Sequence, residues 1–144
     1  MRSRLLIGCA LLLAFGCKDP KARFAPVSGK VTLDGKPLAN AIVSFQPMAK
    51  AGEVEAGVGS SGKTDANGEF TLMAANGQKG AVVGKHRVII TLMEEQVGTG
   101  DERPPRGGWP QKDKVPNRYN SESKETFDVP AGGTTSANFL LTSE

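Results

Sequence analysis

An all-β fold, a sandwich of about seven antiparallel strands, is what this chain predicts. Three observations carry the expectation. Apolar and polar residues alternate with period two in several short runs. Those runs are separated by turn signals, helped by 18 Gly and 9 Pro in 144 residues. No segment reads as a convincing helix.

The elements follow in order. Val27, Gly29, Val31 and Leu33 share one face of a first strand, with Ser28, Lys30 and Thr32 on the other. Asp34-Gly35 is a hairpin turn signal, because both residues tolerate positive φ. Ala41, Val43 and Phe45 form the inward face of the next strand, which Pro47 is expected to end. Residues 48–57 read as a loop and 58–64 as a weak strand. Asn67-Gly68 is a second turn, after which Phe70 and Leu72 point inward over 69–73. Residues 74–80 form a turn-rich connection.

Residues 86–93 are the most strand-like stretch. Val88, Ile90 and Leu92 line one face, and Ile89 and Met93 make the other partly apolar, which predicts a central strand. Residues 94–124 break all pattern and predict a long loop, functional or disordered. Strands at 125–129 and 136–142, around the turn 130–133, finish the chain. One sheet would leave an apolar face wet, so two sheets are expected to pack together.

Before this domain, Arg2 and Arg4 precede an apolar run from Leu5 to Phe15, then Gly16 and Cys17. The run is too short to span a bilayer, which takes about 20 residues. A basic start, a short apolar core and a small residue before cysteine describe a secretory signal. Leu13-Ala14-Phe15-Gly16-Cys17 resembles a lipobox, where bacteria acylate a cysteine and cleave before it. Leu6-Ile7-Gly8-Cys9 fits the local pattern better but leaves only Leu5, Leu6 and Ile7 as apolar residues ahead of the cleavage point. The expected layout is a signal peptide over 1–16, lipidated Cys17 and a tether over 17–26, and the sandwich over 27–144. Acyl chains such as palmitate contribute about 0.8 kcal/mol per buried CH₂, and more than one chain anchors stably. Lys18 stands where retained inner-membrane lipoproteins often have Asp, so the resemblance implies the outer membrane.

With Cys9 removed and Cys17 acylated, no thiol remains for a disulfide or metal site. Removing Arg2 and Arg4 brings the formal net charge of +3 close to neutrality. With sparse aromatics and no basic stripe, the chain has no footprint for nucleic acid.

Three segments carry a wider resemblance: Val27-Ser28-Gly29-Lys30-Val31-Thr32-Leu33-Asp34-Gly35-Lys36-Pro37-Leu38-Ala39-Asn40-Ala41, Thr64-Asp65-Ala66-Asn67-Gly68-Glu69-Phe70, and Gly84-Lys85-His86-Arg87-Val88. Together they resemble the transthyretin-like, carboxypeptidase regulatory-like β-sandwich of small bacterial lipoproteins. Pro116-Asn117-Arg118-Tyr119 and Asn138-Phe139-Leu140-Leu141 are similar to its tail. The resemblance implies a non-catalytic accessory, adhesive or stabilising module, without cofactor or metal.

The residues for sharper chemistry are few. A transthyretin-like hydrolase needs several histidines and an intradiol dioxygenase two Tyr and two His; this chain has one His and one Tyr. A small-molecule carrier of the same style is the alternative binding class. His86 shares the face of Val88 and Ile90, so alternation predicts a core-rim side chain rather than a general base. Asp65-Ala66-Asn67-Gly68-Glu69 has its Gly too early for an EF-hand loop, and reads as a turn. Lys30 and Asn138 stand where adhesin domains place an internal Lys–Asn isopeptide bond. Lys30, however, alternates outward, whereas the reacting amine must be buried to lose its proton. Trp109, the sole Trp, lies between Gly108 and Pro110 near Arg106, and with Tyr119 marks the candidate surface for an envelope protein or glycan partner.

Overall fold

The alternating runs become strands because they can bury one face while pairing their backbone groups. A computed structural model describes residues 23–49, 56–94 and 112–144. In chain order the strands are β1 (Phe24–Ala25), β2 (Ser28–Leu33), β3 (Lys36–Pro37), β4 (Ile42–Pro47), β5 (Ser60–Lys63), β6 (Glu69–Thr71) and β7 (Met73–Ala74). They continue as β8 (Ala81–Val82), β9 (Gly84–Thr91), β10 (Met93–Glu94), β11 (Lys112–Asp113), β12 (Thr126–Val129) and β13 (Phe139–Leu141), with a 3₁₀ turn at Asn117–Tyr119. The fold is all-β and sandwich-like, as the alternation predicts.

One sheet has the order β12-β9-β4-β5-β7; the other is β13-β2-β3, with β6 also paired to β2. β9 lies inside its sheet, between β12 and β4, in keeping with its two-sided apolar pattern. Phe45 pairs with Val88 on one side and Ser60 on the other. The inner faces meet in a ring cluster: Phe45 lies 5.6 Å from Phe127 and 6.1 Å from Phe139, and Phe70 lies 6.2 Å from Phe139. Val31, Val43, Phe45 and Val88 are wholly buried around it. Burying each such side chain stabilises the fold by about 1.5–3 kcal/mol.

The chain passes from one sheet to the other at Leu72. β6 pairs with β2, and β7, one residue later, pairs with β5. The Leu72 amide donates to the Val27 carbonyl at 2.9 Å, and its carbonyl accepts from Gly80 at 2.8 Å. A second crossing, over Leu38–Ala41, is held by Thr64. Its hydroxyl donates to the Leu38 carbonyl at 2.6 Å and accepts from the Ala41 amide at 2.8 Å.

The turns differ in kind. Asp34 and Gly35 both have positive φ, 50° and 77°, as the hairpin signal predicts. At the second turn the Asp65 carboxylate takes the lead, accepting the amides of Asn67 at 2.8 Å and Glu69 at 2.9 Å. Gly68 there adopts φ 76° and gives its carbonyl to the Val31 amide.

Some expectations need correction. β13 pairs with β2 in parallel, so the pairing is not antiparallel throughout. The reason is the return path: after β12 the chain crosses to the other sheet over 130–138, so β13 starts at the same end as β2. Pro47 is the last residue of β4, which ends there as expected. Of the expected loop over 94–124, Glu94 and residues 112–124 are described, and they are paired and packed rather than looped out. β11 pairs with β10, and Val115, Asn120 and Ser123 are buried. Side-chain bonds hold this stretch, and they leave no periodic trace. Strands β1 and β8, paired to each other, are too short to show a period.

Candidate functional site

β2 and β13 bring two sequence-flagged residues together. Even-numbered residues of β2 turn their amides toward β13, and the Lys30 amide donates there to Asn138 Oδ1 at 3.0 Å. The Asn138 side chain thus supplies the acceptor where the β13 ladder has not yet begun. Lys30 is half-buried and Asn138 exposed. Glu69 is the cross-strand partner of Lys30. With Ser28, Thr71 and Thr135 these residues line a polar surface depression of about 430 Å³. The two residues are neighbours, but the contact is made by the Lys30 main-chain amide and not by the side-chain amine that an isopeptide bond would use. The enclosure such a bond needs is not present either, because the site lies on the outer face of the sheet, opposite Val31 and Phe70.

Tyr119 belongs to a clamp on the end of the chain. The 3₁₀ turn places Arg118 and Tyr119 side by side, with the guanidinium 4.8 Å from the phenol ring. Arg118 Nη2 donates to Thr142 Oγ1 at 2.8 Å, and also to the main-chain oxygens of Thr142 and Glu144. The Tyr119 hydroxyl accepts from the Thr142 amide at 3.3 Å. Hydrogen bonding from Thr142, then from Arg118, holds the Tyr119 hydroxyl below its ordinary value of 10.0. The clamp covers the outward backbone groups of Thr142, directly after the β13 edge. Leu140 in that edge strand is 79% exposed, so this is the apolar edge that a short strand and a covering side chain keep blunt.

Asp113 and Asn120 were not flagged by sequence, yet they organise the base of the long segment. Asp113 Oδ1 accepts the amides of Leu92 and Val115, both at 2.9 Å. Asn120 Nδ2 donates to Asp113 Oδ2 at 3.1 Å and to the Val115 carbonyl at 2.9 Å. The available signal was Asp and Asn on either side of the apolar Val115. Farther on, Arg87 Nε donates to the Ser123 carbonyl at 2.9 Å, which fixes 121–125 against β9.

His86 points into the core, as alternation predicts, and is 0% exposed. Its Nδ1 lies 2.9 Å from the Gly84 carbonyl, and its ring centroid 5.6 Å from that of Phe45. No nucleophile or acid hydrogen-bonds to it among the described residues. No group of three or more His, Cys, Asp or Glu is placed to hold a metal ion among those residues. No helix among them is long and apolar enough to cross a membrane. Cys17, Arg106 and Trp109 lie outside the described residues.

The direction of the strands defines two ends. β2 and β9 both run away from the end where the chain enters at Arg23, whose carbonyl accepts the Val83 amide at 2.8 Å. The Asp34–Gly35 turn, the Arg118–Tyr119 clamp and the β10–β11 pair stand at the opposite end. The arrangement is that of a β-sandwich module with a polar outer face on one sheet. Compared with protein-family models, curated proteins and solved structures, the chain matches none.

Proposed function

We propose that this protein is a lipid-anchored module of the bacterial envelope, more readily of the outer membrane, that binds or braces rather than catalyses. In this reading it presents the segment between Glu94 and Lys112, with Arg106 and Trp109, to an envelope protein or glycan. One observation carries the reading: the chain enters the sandwich at one end, and β10 and β11 stand at the other. From Cys17 to Arg23 the chain reaches at most about 20 Å, at about 3.5 Å per residue. β9 alone, eight residues long, extends about 26 Å. A tether at Cys17 therefore holds the entry end at the membrane and turns the other end outward. The resemblance to the transthyretin-like, carboxypeptidase regulatory-like sandwich supports an accessory role.

The test is the intact mass of protein from a bacterial membrane fraction, with a pull-down by variants. Residues 17–144 plus acyl groups, with Trp109→Ala and Arg106→Ala weakening capture, is the expected result. An unacylated chain overturns the anchor, and undiminished capture by both variants removes the segment as the binding surface.

A second reading, the adhesin-type domain with an internal bond, has the Lys30–Asn138 juxtaposition in its favour. It predicts a mass lower by one ammonia in the same spectrum. The full mass eliminates it.

A further inference from the structure

A buried hydrogen-bonding group without a partner costs about 1–3 kcal/mol and calls for an explanation. Two such atoms flank the same ring in this core. Among the described residues, His86 Nε2 and Ser60 Oγ are buried without a hydrogen-bond partner. Ser60 is the cross-strand partner of Phe45, and the His86 ring packs against Phe45 from the next strand.

With Nδ1 bonded to the Gly84 carbonyl, the neutral imidazole carries its proton on Nδ1 and leaves a bare lone pair on Nε2. A second proton would have to sit on Nε2, which has no hydrogen-bond partner among the described residues. Its neighbours on the flanking strands are Pro47 and Phe45 of β4 and Phe127 of β12. The charged group that acts on it from a neighbouring strand is Asp128 of β12, next to Phe127. Lys85 and Arg87, adjacent on β9, alternate to the opposite face.

We infer that His86 is an acid-operated release point: a proton on Nε2 cannot be accommodated in place, and it opens the β4–β9–β12 end of the sheet where the chain enters. Geometry alone places the imidazole there, independently of any anchor or partner. Burial pushes its pKa below the ordinary 6.5, and the opposing influences of the Gly84 carbonyl and Asp128 are smaller. The sign follows by linkage. Below about pH 6.5 the unfolded chain takes up a proton that the folded chain refuses, so stability falls as pH falls through that window. Above it the contribution is complete and constant. The folding constant loses up to about tenfold per pH unit until the folded-state value is reached.

The imidazole is the only one in the chain, so its NMR signals in the full protein need no assignment. The expected result is a folded-state titration displaced below 6.5, with amide exchange accelerating first at 84–88 and 126–129. Urea midpoints should drop more between about pH 7.5 and about pH 5 for the wild type than for His86→Phe, which keeps an aromatic ring and has nothing to protonate. An imidazole titrating at or above 6.5 in a fully folded spectrum overturns the proposal. So does exchange that rises uniformly over the chain. The wild-type titration and exchange decide the matter even where His86→Phe fails to fold.

Discussion

At Gly68 the backbone has φ +76°, and a Cβ there would lie 2.4 Å from the Val31 carbonyl oxygen. That oxygen cannot withdraw, because it accepts the Leu38 amide at 3.0 Å. Gly35 has a similar φ, +77°, but open space around it. Gly68→Ala should therefore destabilise by at least about 2 kcal/mol, and Gly35→Ala by about 1 kcal/mol, in urea unfolding. Equal losses would show that φ alone matters and that the close approach is relieved cheaply. Thr64 is a second residue whose worth lies in its partners. Thr64→Val keeps the volume but strands the Leu38 carbonyl and the Ala41 amide in a site 2% exposed. A loss of about 2–3 kcal/mol is expected, and a neutral result would mean the crossing re-pairs without it. Asp34 acts differently, from the surface. The Ser143 amide, at 2.9 Å, holds its carboxyl below the ordinary 3.8. Its contribution is present above that pH and is lost as pH falls through the folded-state value.

Among the elements, the central strands were legible and the pinned stretches were not. β4 and β9 bury every second residue, so Val43, Phe45, Val88 and Ile90 announce themselves by period. The Asp34–Gly35 turn was legible through its chemistry. Residues 112–124 were not, since Asp113, Asn120 and Ser123 hold them by side-chain bonds to the Leu92 amide and to the Val115 and Val88 carbonyls, which leave no period. The parallel partner of β2 was hidden too, because a pattern shows which face is buried and not which strand lies alongside. The juxtaposition of Lys30 and Asn138 follows from that pairing, so sequence could name the two residues but not bring them together. The clamp gives this scale its own prediction. Arg118→Ala should speed amide exchange over residues 140–144 at least about tenfold while leaving global stability within about 1 kcal/mol, since the bonds are exposed. Unchanged exchange would mean that the chain end does not depend on the guanidinium.

For the molecule as a whole, the question is whether the sandwich stands without the residues between Glu94 and Lys112. Glu94 and Lys112 are register partners at the base of that segment. Replacing residues 95–111 with a two-residue hairpin turn should leave the melting transition within a few degrees of the parent, because the Glu94–Lys112 register can be closed by a short turn and a shorter closure costs less entropy. Loss of cooperative melting would assign those residues a part in the fold itself.

The parallel pairing of β2 and β13 has a mechanical meaning. β2 starts near the entry of the chain and β13 ends at the opposite end, side by side and in one direction. A pull on the N-terminal side against a pull beyond Leu141 drags the two strands past each other lengthwise. Every hydrogen bond of that ladder then bears the load at once, where an antiparallel hairpin pulled from its open end would unzip one rung at a time. Drawn out between these two points, the ladder is loaded in shear, whereas a sideways tug loads it one rung at a time.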